Sequence, residues 1–288
     1  MTTADVRRVV VVVLDGLRPD AITTYALPNV LRLARNGAST FHATTVAPSV
    51  TAVAMASLLT GAEPERHGLL SDRFHLPRPT GAIHPLPREL HRFGLPSSGF
   101  MAHVPWLMRP LAGRITAALG FGTARFRGAG ALDVLATARR HLETQRTGLI
   151  FMHWPDADRA GHATGWMSAE YESAARTLDE ALGRLVRVVD LSDTGTMVVA
   201  LADHGGGGSA RRHHNSDHPL DRTIPIIFAG GAVRPGTLGD GMRLIDVPPT
   251  VLAALGLPTP DSYGGVALMP RRERMVAESV TAGTRVAA

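Results

Sequence analysis

The chain has 288 residues, 44% hydrophobic and 19% charged, enough to bury a substantial core in one large domain. It contains no cysteine, which excludes disulfides, thiolate metal sites and a cysteine nucleophile. The formal net charge is +5 and all 30 basic residues are arginine, but they are dispersed rather than gathered in a stripe or tail, which argues against a nucleic-acid partner.

In chain order, the run Arg8–Leu14 is β-branched and continuously apolar, as suits a strand buried on both faces of a parallel sheet. It stops at Asp15-Gly16, and a carboxylate at that position points into the crevice where open α/β sheets bind ligands. The same grammar recurs in Gly148–Trp154, followed by Asp156 and Asp158, and in Thr196–Ala202, followed by Asp203-His204-Gly205. Taken singly, Asp15-Gly16 reads equally as a turn, and Asp203-His204 before four glycines as a flexible surface loop. Taken together, carboxylate and imidazole donors are the set zinc prefers. Helical periodicity predicts helices over Ala131–Glu143 and Ala169–Val188; in the second, Tyr171, Ala175, Leu178, Leu182 and Leu185 form a core stripe. Strands alternating with helices predict an α/β fold whose mainly parallel sheet is covered on both faces. No apolar run approaches the roughly 20 residues of a membrane span. The first strand begins within ten residues, leaving no room for a secretory signal, and a cytoplasmic location is expected.

These motifs resemble the alkaline phosphatase superfamily, specifically its type I phosphodiesterase and nucleotide pyrophosphatase branch, from about Val9 to Leu268. Leu14–Asp20 is similar to the first metal motif, Ala47–Thr51 to the nucleophile segment, and Asp158 with His162 to a ligand pair four residues apart. Asp203-His204 is similar to the paired ligands of the second metal, and Asp217-His218-Pro219 sits where the last His ligand belongs. The resemblance implies an alkaline-phosphatase-like fold and two divalent ions, zinc by donor type. One would be held by Asp158, His162 and His218, the other by Asp15, Asp203, His204 and Thr51. It also implies a small phosphate-ester substrate, attacked by Thr51 to give a covalent phosphothreonine. Thr51 is chosen through the motif alone: read locally it is also an N-cap hydroxyl, and Ser49 and Ser57 are rivals. Oligomeric state is left open by the sequence.

Two features depart from the family pattern. Where members that cleave nucleotide diesters carry an Asn three residues after the nucleophile, this chain has Ala54; Arg18, Arg211, Arg212, His213 and His214 are candidates to replace it. Between about 71 and 130 lies a Pro-rich, substrate-side insertion in place of a large cap, inside a catalytic domain spanning 1–270, with 271–288 a peripheral tail. Its Phe74, Phe93, Phe100, Trp106, Phe121 and Phe126 either shape a substrate pocket or form its own small core. The expected activity is a metal-dependent phosphodiesterase or nucleotide pyrophosphatase. The alternatives are a phosphonate hydrolase or phosphomonoesterase on the same scaffold, or a non-catalytic metal-binding module.

Overall fold

The computed structural model describes residues 6–71, 78–231 and 233–268; Phe74 and the tail 271–288 lie outside the described residues. The elements run β1 (Arg8–Leu14), α1 (Pro19–Thr24), α2 (Pro28–Arg35), β2 (Ala38–Thr44), α3 (Thr51–Thr60), α4 (Pro64–His67) and α5 (Leu86–Arg92). They continue with β3 (Ser97–Met101), α6 (Arg109–Leu119), β4 (Thr123–Phe126), α7 (Ala131–Thr144), β5 (Gly148–Trp154), α8 (Asp156–Thr164) and α9 (Ala169–Val189). The last are β6 (Thr196–Leu201), α10 (Pro219–Arg222), β7 (Thr223–Ala229), β8 (Gly236–Thr237) and α11 (Val247–Ala254).

All eight strands form one sheet in the order β4-β3-β5-β1-β6-β7-β2-β8. The block from β4 to β6 is parallel throughout, whereas β7 runs antiparallel to both of its neighbours. Every residue of β1 and β6 is buried, and strand side chains alternate between faces, so both faces of the sheet centre are covered. This is why the valine run carries no polar alternation. One helix layer packs α9 against α2, α7 and α8; another packs α3 against α5 and α11. The predicted stripe on α9 is buried along its length, and Ser168 caps that helix by accepting from the Tyr171 amide. The segment 71–130 supplies α5 and α6, and its strands β3 and β4 extend the same sheet at one edge.

The register sets the site. Leu14 lies beside Trp154 and Val13 beside Leu201, so β1, β5 and β6 end side by side at their C-terminal edge. Asp15, Asp158 and Asp203 all emerge there.

Candidate metal centre and active site

The turn after β1 is built for close approach. Gly16 has φ +69°, and a Cβ on it would lie 2.9 Å from the Asp158 Cα, so only glycine lets the start of α8 close down on this turn. The Asp158 amide donates to the Asp15 carbonyl at 3.0 Å, while the Trp166 indole and the Tyr171 hydroxyl donate to the Gly16 carbonyl at 3.0 and 2.8 Å. The Asp203 carboxylate accepts from the Gly16 and His204 amides at 3.3 and 3.1 Å. Nor is the glycine run after His204 a floppy loop. A Cβ on Gly206 would lie 2.1 Å from the Trp166 ring and one on Gly205 2.0 Å from the Leu220 carbonyl, so these glycines exist to pack.

Three imidazoles converge on this edge. His204, His162 and His214 each place Nδ1 against a backbone carbonyl, those of Gly205 (2.8 Å), Arg212 (2.8 Å) and Ser49 (2.6 Å). Each Nδ1 therefore carries the proton, and each Nε2 offers a lone pair. His204 Nε2 faces the Asp15 carboxylate at 3.3 Å, that of Asp203 at 3.6 Å and the Thr51 hydroxyl at 3.0 Å. His162 Nε2 and His214 Nε2 lie 3.1 Å apart, and 3.4 and 3.6 Å from the same Asp158 oxygen.

Two lone pairs aimed at each other beside a carboxylate repel unless positive charge sits among them. Buried oxygens of Asp15, Asp158 and Asp203 also have no hydrogen-bond partner. Donor atoms of Asp15, Asp203 and His204 come within 4.8 Å of one another, as do those of Asp158, His204 and His214. These residues fit divalent cations by charge, donor type and convergence.

Electrostatics points the same way. Burial, then the neighbouring Asp203 and Asp158 carboxylates, push Asp15 well above the usual carboxylate range. Burial also pushes His153 and His214 down, toward the neutral form a ligand needs. A buried carboxylate cluster with neutral imidazoles is a site short of positive charge.

Of the residues expected from the sequence, Asp15, Thr51, Asp158, His162, Asp203 and His204 are brought together. His218 does not join them. It stands exposed as the N-cap of α10, and its Nδ1 accepts from the Leu220 amide at 3.1 Å. His214, four residues earlier, occupies the place beside Asp158 and His162 and stacks on His204 with ring centroids 3.8 Å apart. His153 is a further site residue that sequence reasoning passed over: its Nε2 lies 3.1 Å from Asp15. A lone imidazole inside an otherwise apolar buried strand was the available signal.

Thr51 opens α3, but the cap position is Val50, so its hydroxyl is not spent on capping. The rivals are engaged elsewhere. Ser49 donates to the His214 carbonyl, and Ser57, fully buried, pairs with His67 at 2.9 Å. Ala54 is fully buried on α3. Of the candidates to stand in for an Asn there, Arg18 is tied to Asp20 and to the Gly206 carbonyl, and Arg211, Arg212 and His213 are exposed. Among the insertion's aromatics, Phe100 is core, Phe93 and Trp106 are exposed, and Phe121 and Phe126 line a cavity beside Thr51.

The family described as type I phosphodiesterase / nucleotide pyrophosphatase matches residues 9–92, and the metalloenzyme superfamily matches 127–259. Among curated relatives, the 2,3-bisphosphoglycerate-independent phosphoglycerate mutase of Desulforudis audaxviator is 35% identical over 136 residues, 43% of this chain and 24% of that protein. The corresponding mutase of Gluconobacter oxydans is 33% identical over 132 residues, 44% of this chain and 24% of that protein. The chain thus aligns with about a quarter of the length of these mutases. Among solved structures, murine ectonucleotide pyrophosphatase / phosphodiesterase 5 superposes with a TM-score of 0.67 at 15% or lower identity, covering 88% of this chain and 96% of that one. The lipoteichoic acid synthase LtaP of Listeria monocytogenes gives 0.67 at 16% identity, covering 91% and 75%. A 2-O GAG sulfatase gives 0.69 at 14%, covering 93% and 75%. These likenesses establish the alkaline-phosphatase-like fold.

Proposed function

We propose that the chain, whose residues 9–92 match the type I phosphodiesterase / nucleotide pyrophosphatase family and 127–259 the metalloenzyme superfamily, is a metal-dependent phosphodiesterase or pyrophosphatase acting through Thr51. The observation that carries this reading is the Thr51 hydroxyl, free of capping duty, 3.0 Å from His204 Nε2 at the meeting point of the Asp15–Asp203–His204 and Asp158–His204–His214 groups. Asp15, Asp203 and His204 would hold one divalent cation, and Asp158, His162 and His214 the other, with zinc favoured by the mixed carboxylate and imidazole donors. When bound, the two ions supply the Lewis-acid charge that lowers the hydroxyl pKa and steadies the attacking and leaving oxygens.

The chain's own groups do the rest. Thr51 sits on the first turn of α3, whose unpaired amides favour a phosphate anion. Attack by its oxygen on phosphorus forms the Thr51 O–P bond and breaks the bond to the leaving oxygen; water then cleaves the phosphothreonine. The backbone carbonyls of Gly205, Arg212 and Ser49 hold the three imidazoles in one tautomer throughout. A cytoplasmic setting fits this reading, and among the described residues no helix is long and apolar enough to cross a membrane.

The test is hydrolysis of bis(p-nitrophenyl) phosphate by zinc-loaded protein, beside a nitrophenyl monoester and a phosphonate monoester. We expect the diester to be preferred and Thr51→Ala to lose at least about 10³-fold in rate while keeping its metal. Full activity in that variant would sink Thr51 as nucleophile. A monoester or phosphonate preference would replace the diesterase reading, and two bound metals with no turnover would favour a binding module.

A further inference from the structure

Beside Thr51, between α3 and α6, the structure holds a cavity of about 390 Å³. Its walls are Met55 and Leu59 from α3, Leu119 from α6, and Phe121, Phe126 and Phe151 from the sheet side. Polar groups in the wall are few, and each already makes a bond to the protein's own backbone or a neighbouring side chain. The Thr116 hydroxyl donates back to the Ala112 and Gly113 carbonyls at 3.0 and 3.1 Å, and His103 Nδ1 lies 3.2 Å from the Gly128 carbonyl. Arg159 is exposed and donates to the Ala129 carbonyl, and His153 faces Asp15 at the inner end. A nucleobase seated against the aliphatic and aromatic part of this wall would leave most of its donors and acceptors without partners, at a cost that a hydrocarbon does not incur.

A second observation lies outside the cavity. Trp106, Leu107 and Met108 are 77%, 70% and 41% exposed, and they lead directly into α6, where Ile115, itself 48% exposed, lines the cavity. Bulky apolar side chains clustered on a surface mark a site of contact with something apolar, and this cluster runs straight into the helix whose Ala112, Ile115, Thr116 and Leu119 line the cavity. Exposed Ile115 and the nucleophile candidate Thr51 thus share one apolar cavity.

In an in-line displacement the leaving oxygen departs on the side opposite the nucleophile. A cavity lined by Thr51 itself therefore suits the substituent that stays on phosphorus. We propose that the substrate is a phosphodiester whose retained ester group is a hydrocarbon chain or ring, entering over Trp106, Leu107 and Met108 and seated between α3 and α6. This rests on the diesterase reading above and narrows it. Thr51 oxygen bonds to phosphorus and the other alcohol departs with a proton; water then adds to phosphorus, breaks the Thr51 O–P bond and releases the alkyl phosphate monoester.

The experiment is a series of p-nitrophenyl alkyl phosphates, from methyl to hexyl and below micelle-forming concentrations, beside p-nitrophenyl thymidine 5′-phosphate, on the zinc-loaded full chain. We expect kcat/KM to rise about two- to fourfold per methylene and the hexyl ester to exceed the nucleoside ester at least about tenfold. Ala112→Phe, which narrows the cavity, should cut the hexyl-to-methyl ratio at least about tenfold, and Ile115→Gln, at the exposed rim, should lower it in a protein whose core is untouched. A flat series, or preference for the nucleoside ester, overturns the proposal while leaving the diesterase reading intact. Should nothing in the series turn over, the diesterase reading fails, and the cavity is then judged by calorimetry with methyl and hexyl phosphate. Tighter binding of hexyl phosphate, lost in Ala112→Phe, upholds the apolar subsite, and equal binding overturns it.

Discussion

The two halves of the candidate metal centre are built differently. Asp15, Asp203 and His204 stand at the ends of adjacent parallel strands, almost wholly buried, with their backbones fixed by the sheet ladder. Asp158, His162 and His214 come from one short helix and an irregular loop, and His162 is 43% exposed. The first half inherits its geometry from the sheet. The second depends on side chain to backbone hydrogen bonds between segments distant in sequence, through the Arg212 and Ser49 carbonyls. A ligand at a strand end is set by register; a ligand in a loop is set by whichever tertiary partner its ring finds.

The sharpest way to break this contrast is to disable the buried half. Asp203→Asn should lower diester hydrolysis by about 10³-fold, the upper end of what one lost electrostatic group costs, and remove one metal equivalent by elemental analysis. Equal metal content in variant and wild type would mean that the strand-end half is not a ligand set.

The loop half offers a paired test. His214→Ala should lower the rate by about 10²-fold and weaken retention of one ion during chelator titration. His218→Ala should leave activity within about twofold, as expected of an exposed residue away from the site, with at most about 1 kcal/mol of stability lost from the α10 cap. The reverse ranking would restore His218 as the ligand.

The smallest effect falls on the scaffold under both halves. His67 holds Ser57 on α3, the helix that Thr51 opens, and burial lowers its pKa to about 4. The folded value lies below the unfolded one, so the unfolded chain binds the proton more readily. Stability from this residue is complete above about pH 6.5 and is lost as pH falls toward 4, roughly 3 kcal/mol in all. Denaturant melts of His67→Gln should show a flatter pH dependence across that window, with catalysis at pH 8 little changed. An unaltered slope would remove His67 as its source.

Much of this was legible beforehand because the signals are local. A continuous apolar, β-branched run suits a strand covered on both faces, and Asp15 and Asp203 follow such apolar runs directly, so their place at the sheet edge could be read locally. The boundaries of α7 and α9 fell within a residue of their expected ends, since periodicity and the Ser168 cap mark them. The antiparallel course of β7 was not foreseen, because strand direction is not written in an apolar run.

By itself the sequence determined the α/β class, the place of Asp15, Asp203 and His204 at strand ends and the resemblance that points to phosphoryl transfer. Only the tertiary structure brings His214, and not His218, beside Asp158 and His162, because the direction of an imidazole in a loop is decided by the carbonyl its Nδ1 meets, here that of Ser49, 165 residues away in the chain. It alone also turned Phe121 and Phe126, from β4 and the turn before it, together with Met55 and Leu59 from α3, into one apolar wall beside Thr51. Cavities form where distant elements fail to fill the space between them, and no local pattern records that.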